Sequence, residues 1–170
     1  MSDPADKTGK PAPPRVADVV RRAGLVRSQA RLAAVQALYQ MDLASTDLNK
    51  LIHEFVTERF GAEAEDETVA MADQTLFEAI VRGVVTHQRE IDPAVDAQLA
   101  TGWRLNRLDA TLRAILRGAM YEILYRKDTP ARVVITEYLD IAKAFFEGEE
   151  PKVTNAVLDK LAKKHRAAEF

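Results

Sequence analysis

Arg21, Arg22, Arg27 and Arg31 crowd one short stretch of this chain, and Tyr39 follows about two helical turns later. Guanidinium groups hold phosphates through paired, charge-assisted hydrogen bonds, and an aromatic ring stacks on an unpaired base for ~1–3 kcal/mol. At 100° per residue, Arg27 and Arg31 stand one turn apart and differ by about 40° in azimuth. The pattern sets them where a helix begins, with Ser28 as a candidate cap. Cations at that end are disfavoured by the helix macrodipole, by roughly 0.3–1 kcal/mol each, until an anion arrives. No acid stands closer in sequence than Asp18. The expectation is a positive field that a single nucleotide strand relieves, with Tyr39 beside it as a stacking surface. Ordinary solvated arginines and a half-buried core tyrosine are the alternative. Trp103, with Arg104 and Arg107, repeats the idea more weakly, and its first reading is core.

Other chemistries find little to work with. His53, His87 and His165 are isolated from one another, and Thr57 stands where a helical zinc motif starting at His53 would need its second histidine. There is no cysteine, which excludes disulfides, thiolate metal sites and cysteine nucleophiles. No glycine-rich phosphate loop and no nucleophile elbow occurs among seven glycines and the serines Ser2, Ser28 and Ser45. The acids Glu63, Glu65, Asp66 and Glu67 read as a solvated loop, because no calcium-loop glycine accompanies them. A non-enzymatic protein without metal or cofactor is expected.

The 170 residues, 47% hydrophobic and 29% charged, suit one globular domain. No apolar run is long enough for a membrane span and the polar N-terminus has no secretory pattern, so a cytoplasmic setting is expected. The net charge of −2 conceals a strong segregation. Residues 1–31 carry seven basic groups against three acids, and residues 53–78 carry eight acids against Arg59 alone. Residues 152–166 are basic again, with five basic groups against Asp159. A chain divided in this way can attract a polyanion although its total charge is negative.

The elements that must position these residues are all helices. Residues 1–25, basic and rich in proline at their start, are expected to form a flexible tail, with a faint helical pattern from Val16 to Ala23 ended by Gly24. Residues 26–170 are expected to form the folded domain. On the first helix, Ala34, Leu38 and Met41 make a narrow core stripe. Leu48, Leu51, Ile52, Phe55 and Val56 recur at helical spacing, with Asp47 as N-cap and Gly61 beyond the end. Asp73 can cap the helix bearing Leu76, Phe77, Ile80, Val81, Val84 and Val85. The run from Leu108 to Leu124 is the strongest amphipathic pattern. Asp92-Pro93 and Thr129-Pro130 each read as a cap followed by proline at the first helical position, and Pro151 opens the last helix. Lys160, Lys163, Lys164 and Arg166 lie at that helix's C-terminus, where the dipole favours them. The count is about seven helices and no strand.

A second surface is predicted around residues 143–153. Phe145 continues the stripe of Tyr138, Ile141 and Ala142, so core packing is its default, whereas Phe146 points about 100° away; at least one of the two is a candidate for exposure beside Glu149 and Val153. Apolar residues rimmed by acids suit a partner protein with a basic edge.

Four motifs in order and in register resemble the NusB family of transcription antitermination factors. They are Ala34-Val-Gln-Ala-Leu-Tyr39, Leu116-Arg-Gly-Ala-Met-Tyr-Glu122, Lys143-Ala-Phe145 and Asn155-Ala-Val-Leu-Asp-Lys160. The resemblance implies an all-helical protein of two small helical subdomains. It further implies binding to single-stranded boxA RNA of the ribosomal RNA leader together with NusE, a small-subunit ribosomal protein, within an antitermination complex with RNA polymerase. By the same resemblance Arg27 and Arg31 match RNA-contacting positions, Tyr39 matches the family's tyrosine there, and Phe145, Glu149 and Val153 match the NusE-facing surface; Arg21 and Arg22, which precede the resemblance, are additional candidate cations for the RNA. Ser28 and Gln29 stand where some relatives have arginines, and Val153 replaces a common phenylalanine. Two other readings stay open: a purely protein-binding helical module, and a detached NusB-like domain of an RNA methyltransferase. The sequence also allows a homodimer formed through the partner surface.

Overall fold

The computed structural model describes residues 13, 15–60 and 67–170, and among these the side chains at 19, 20, 22, 59, 60 and 67–73 lie outside the description. The proline-rich start, Gly61, the acids Glu63, Glu65 and Asp66, and the side chains of Arg22, Glu67 and Asp73 therefore fall outside the described set. The described residues form six α-helices and no strand: α1 (Val16–Ala44), α2 (Leu48–Phe55), α3 (Glu67–Asp96), α4 (Ala110–Tyr125), α5 (Ala131–Phe145) and α6 (Glu150–His165). A π-helical turn (Val56–Phe60) extends α2, and 3-10 turns precede α4 and follow α6. Helices α1 and α3 pack on each other, α5 and α6 on each other, and α4 packs on all four. Two helical groups thus share α4, and one contiguous core runs through both. No described helix is long and apolar enough to cross a membrane.

Local chemistry explains most boundaries. The Asp47 carboxylate accepts the Lys50 N–H at 3.0 Å, capping α2 as its sequence predicts. Pro151 sits in the first turn of α6, where its missing N–H leaves nothing unpaired. Helix α1 departs from expectation at both its start and its breadth. It begins at Val16 and continues through Gly24, whose flexibility costs a helix interior only ~1 kcal/mol. Between residues 30 and 38 it is buried on most of its circumference, not on one narrow stripe. Ala30, Ala33, Ala34 and Ala37 allow that, because small side chains let three helices approach a fourth.

Two proline readings require correction. Pro93 does not open a helix; it lies inside α3, one turn before its end. Asp92, expected as its cap, instead accepts two hydrogen bonds from Arg117 at 2.9 Å each. Pro130 is the residue preceding α5, one place earlier than the first helical position. Gly83 is demanded by packing: a Cβ there would stand 2.0 Å from the Tyr121 ring, so α3 meets α4 across a bare backbone.

Candidate nucleic-acid and partner interface

Arg27 and Arg31 are the twelfth and sixteenth residues of α1, so neither stands at a helix terminus. Free N–H groups and the dipole therefore add nothing to their field, and Ser28 is no cap. Its hydroxyl lies 2.7 Å from Glu137 Oε2 and 3.1 Å from the Gly24 carbonyl.

The two arginines also part company in burial. Arg27 is exposed and forms no ion pair with any described residue. Arg31 is only 2% exposed. Its Nε and Nη2 donate to the two carboxylate oxygens of Glu122 at 2.9 and 3.0 Å, and its Nη1 lies 3.7 Å from Glu137. Burial opposes the charge on Arg31, but the hydrogen bonds and charge of Glu122 outweigh it and raise the guanidinium pKa above its ordinary value. Beneath the pair, burial and then the charge of Glu122 push the Tyr138 hydroxyl pKa well up. The expected uncompensated field is thus absent at Arg31, which carboxylates of its own chain neutralise. The signal for this was present in the spacing. Arg31 lies only about 20° in azimuth from Leu38 on the α1 core stripe, and Glu122 continues the Leu112, Ile115, Ala119 stripe of α4.

Arg27 and Arg31 do share a cleft of about 610 Å³ with Thr75, Leu76, Arg126, Asp128, Thr129, Pro130 and Val133. Its far wall is the turn between α4 and α5. Arg166 holds that turn, donating through Nη2 to the carbonyls of Thr129 at 2.7 Å and Lys127 at 3.4 Å. Glu169 pairs with Arg166 Nε and accepts the Ala131 N–H at 2.9 Å, so the chain's last turn braces the start of α5. Arg166 is therefore a buried clamp, not the solvated dipole-compensating cation expected of it.

Arg21 is exposed and weakly paired with Asp18 at 3.7 Å. Tyr39 does not stand beside the arginines: twelve residues of α1 separate it from Arg27, about 18 Å along the axis. It is 39% exposed and lines a separate cleft of about 310 Å³ with Val35, Gln36, Thr111 and Phe145. The structure thus joins two residues that the sequence assigned to different surfaces. Phe145 is 47% exposed, whereas Phe146 packs against the core, the reverse of the stripe-based default. Helix α5 ends at Phe145, and the extended backbone of Phe146 (φ −130°, ψ 137°) turns its side chain inward. Glu149 precedes α6 and lies 3.9 Å from Lys152, with Val153 half-buried one turn on.

The NusB family model matches residues 28–163. The chain is 54% identical over 145 residues to the transcription antitermination protein NusB of Maricaulis maris, covering 85% of this chain and 91% of that one. The chain belongs to the NusB family. The Agrobacterium fabrum NusB protein is 49% identical over 166 residues, covering 98% of this chain and 97% of its own. Among solved structures, NusB of T. maritima superposes with a TM-score of 0.70 at 32% identity, over 85% of this chain and 96% of that one. A crystal structure of the antitermination factors NusB and NusE in complex with dsRNA superposes at 0.67 and 25% identity, over 82% and 98%. The NusB match begins at Ser28, after twelve residues of α1.

Proposed function

We propose that this chain is a transcription antitermination factor that binds boxA-type ribosomal RNA together with NusE, acting in the cytoplasm as a binding factor and not as an enzyme. The observation that carries the reading is its likeness, along most of its length, to a NusB solved with NusE and RNA. Arg27 meets phosphates, with Arg21 and Arg22 ahead of it on the same helix. Arg31 acts from beneath as a positioning residue, since a guanidinium already held by two carboxylates has little left to offer a phosphate. Phe145, Glu149 and Val153 form the NusE surface, and the shared cleft supports Tyr39 at the junction where NusE and the strand meet. Residues 26–170 form the binding domain, and the basic residues before them extend its reach.

The test is a titration of boxA-like RNA, single-stranded and duplex, at several salt concentrations with and without NusE. Binding that strengthens in the presence of NusE is expected, since two adjoining surfaces then share one strand. Arg27→Ala should reduce the salt slope by about 0.7 on a single strand. Phe145→Ala should weaken NusE binding by about 2 kcal/mol, roughly 30-fold, as an exposed aromatic anchor does. The internal neutralisation of Arg31 favours a second reading, a purely protein-binding module. Binding to NusE with no RNA affinity in any combination would select it.

A further inference from the structure

We propose that Arg126, on the turn between α4 and α5, is a second phosphate contact for the RNA strand, facing Arg27 across the cleft they share. This rests on the RNA-binding reading and names the far wall of that site.

Most other arginines that approach the core are already spoken for. Arg31 is held by Glu122, Arg117 by Asp92, Arg113 by Asp42 and two carbonyls, and Arg166 by Glu169 and two carbonyls. Arg126 donates no side-chain hydrogen bond among the described residues, and its ion pair there is with Asp128 at 3.8 Å. The Asp128 side chain is 71% exposed, so water screens that pair. The Arg126 Nε itself is closed to solvent, but the side chain as a whole is 30% exposed, so its terminal guanidinium N–H groups are free to meet a phosphate oxygen. Arg166 Nη1 is likewise buried without a partner, but its Nε and Nη2 are engaged.

The geometry around Arg126 is fixed beforehand. Its own N–H closes α4 by donating to the Glu122 carbonyl at 2.9 Å, one residue of the pair that anchors Arg31. Arg166 and Glu169 then hold residues 127–131 from the other side. A cation presented on a braced turn loses little freedom on binding. The cleft, at about 610 Å³, has room for a nucleotide, and Thr75 and Thr129 lie on its lining. Asp128 also lines it and opposes an anion from the exposed rim. Arg27 on one wall and Arg126 on the other give a strand two positive contacts, where a free ion would need only one.

The experiment measures anisotropy of labelled boxA-like RNA with the full chain and NusE over a fourfold range of salt, for Arg126→Gln, Arg126→Lys, Arg27→Ala and the Arg27→Ala/Arg126→Gln pair. Arg126→Gln should lower the salt slope by about 0.7, so its deficit shrinks about 2.6-fold across that range. Arg126→Lys should keep the slope, and the double variant should lose about 1.4. Unchanged slope in Arg126→Gln, or equal loss in Arg126→Gln and Arg126→Lys, overturns the contact. Should inorganic phosphate bind the cleft while Arg126→Gln leaves RNA binding intact, the site belongs to a free anion and the proposal falls. An unmodified chain that binds no RNA with NusE would overturn the RNA reading as well. If Arg126→Gln fails to melt cooperatively, the slope of Arg126→Lys decides: one below the unmodified chain's overturns the contact.

Discussion

Arg27 and Arg31 are a single turn apart on α1, and their surroundings share almost nothing. Arg31 is enclosed by α4 and α5 and gives its charge to Glu122 and Glu137. Arg27 faces an open cleft and forms no ion pair with any described residue, although Asp128 also lines that cleft. The same side chain thus serves as an internal fastener in one place and as an open electrostatic surface four residues earlier. A count of basic residues along a segment therefore overstates the charge that a ligand meets. What matters is which guanidinium groups the chain has left unneutralised.

Breaking the enclosed half of this comparison should have the largest effect. Glu122→Ala leaves Arg31 buried with its chief partner gone and should destabilise the fold by about 3–5 kcal/mol, read from chemical denaturation. Replacing Arg31 and Glu122 together by Met and Leu should restore much of that loss, because apolar packing can substitute for a buried ion pair. The exposed half should respond in the opposite way. Arg27→Ala should shift stability by no more than about 0.5 kcal/mol in the same assay, while it flattens the salt dependence of RNA binding.

A smaller effect, set by pH, concerns the clamp on the far wall of the cleft. The Ala131 N–H, and then Arg166, hold the Glu169 carboxyl below its ordinary value of 4.5. A carboxylate whose pKa is depressed by folding stabilises the fold above the unfolded value and loses that contribution as pH falls through the folded one. Glu169→Gln should therefore lower the melting temperature at neutral pH. The gap between variant and unmodified chain should narrow below about pH 4.5 and close below the folded-state pKa.

The helical architecture was legible because apolar spacing, Asp47 and Pro151 each act locally. Pro93 misled because a proline near a helix's last turn looks in sequence like one in the first turn of the next. Phe145 and Phe146 exchanged places because the end of α5 lies between them, and periodicity does not reveal where a helix stops. Arg31 is the more instructive case. Its azimuth beside Leu38 and that of Glu122 on the α4 stripe were both readable, but recognising them as partners required knowing that α1 packs on α4. The Arg166 clamp depends on contacts about 37 residues distant in sequence and had no local signature.

Helix α1, packed through its own alanines against α3 and α4 across its middle, is braced within the domain as a strut. Whatever grips one end of it leaves the other end at an unaltered spacing and orientation. On the proposed sites, synergy between a strand near Arg27 and a protein at Phe145 would arise from tethering at a set distance, as on a ruler, and not from a shape change relayed along the rod.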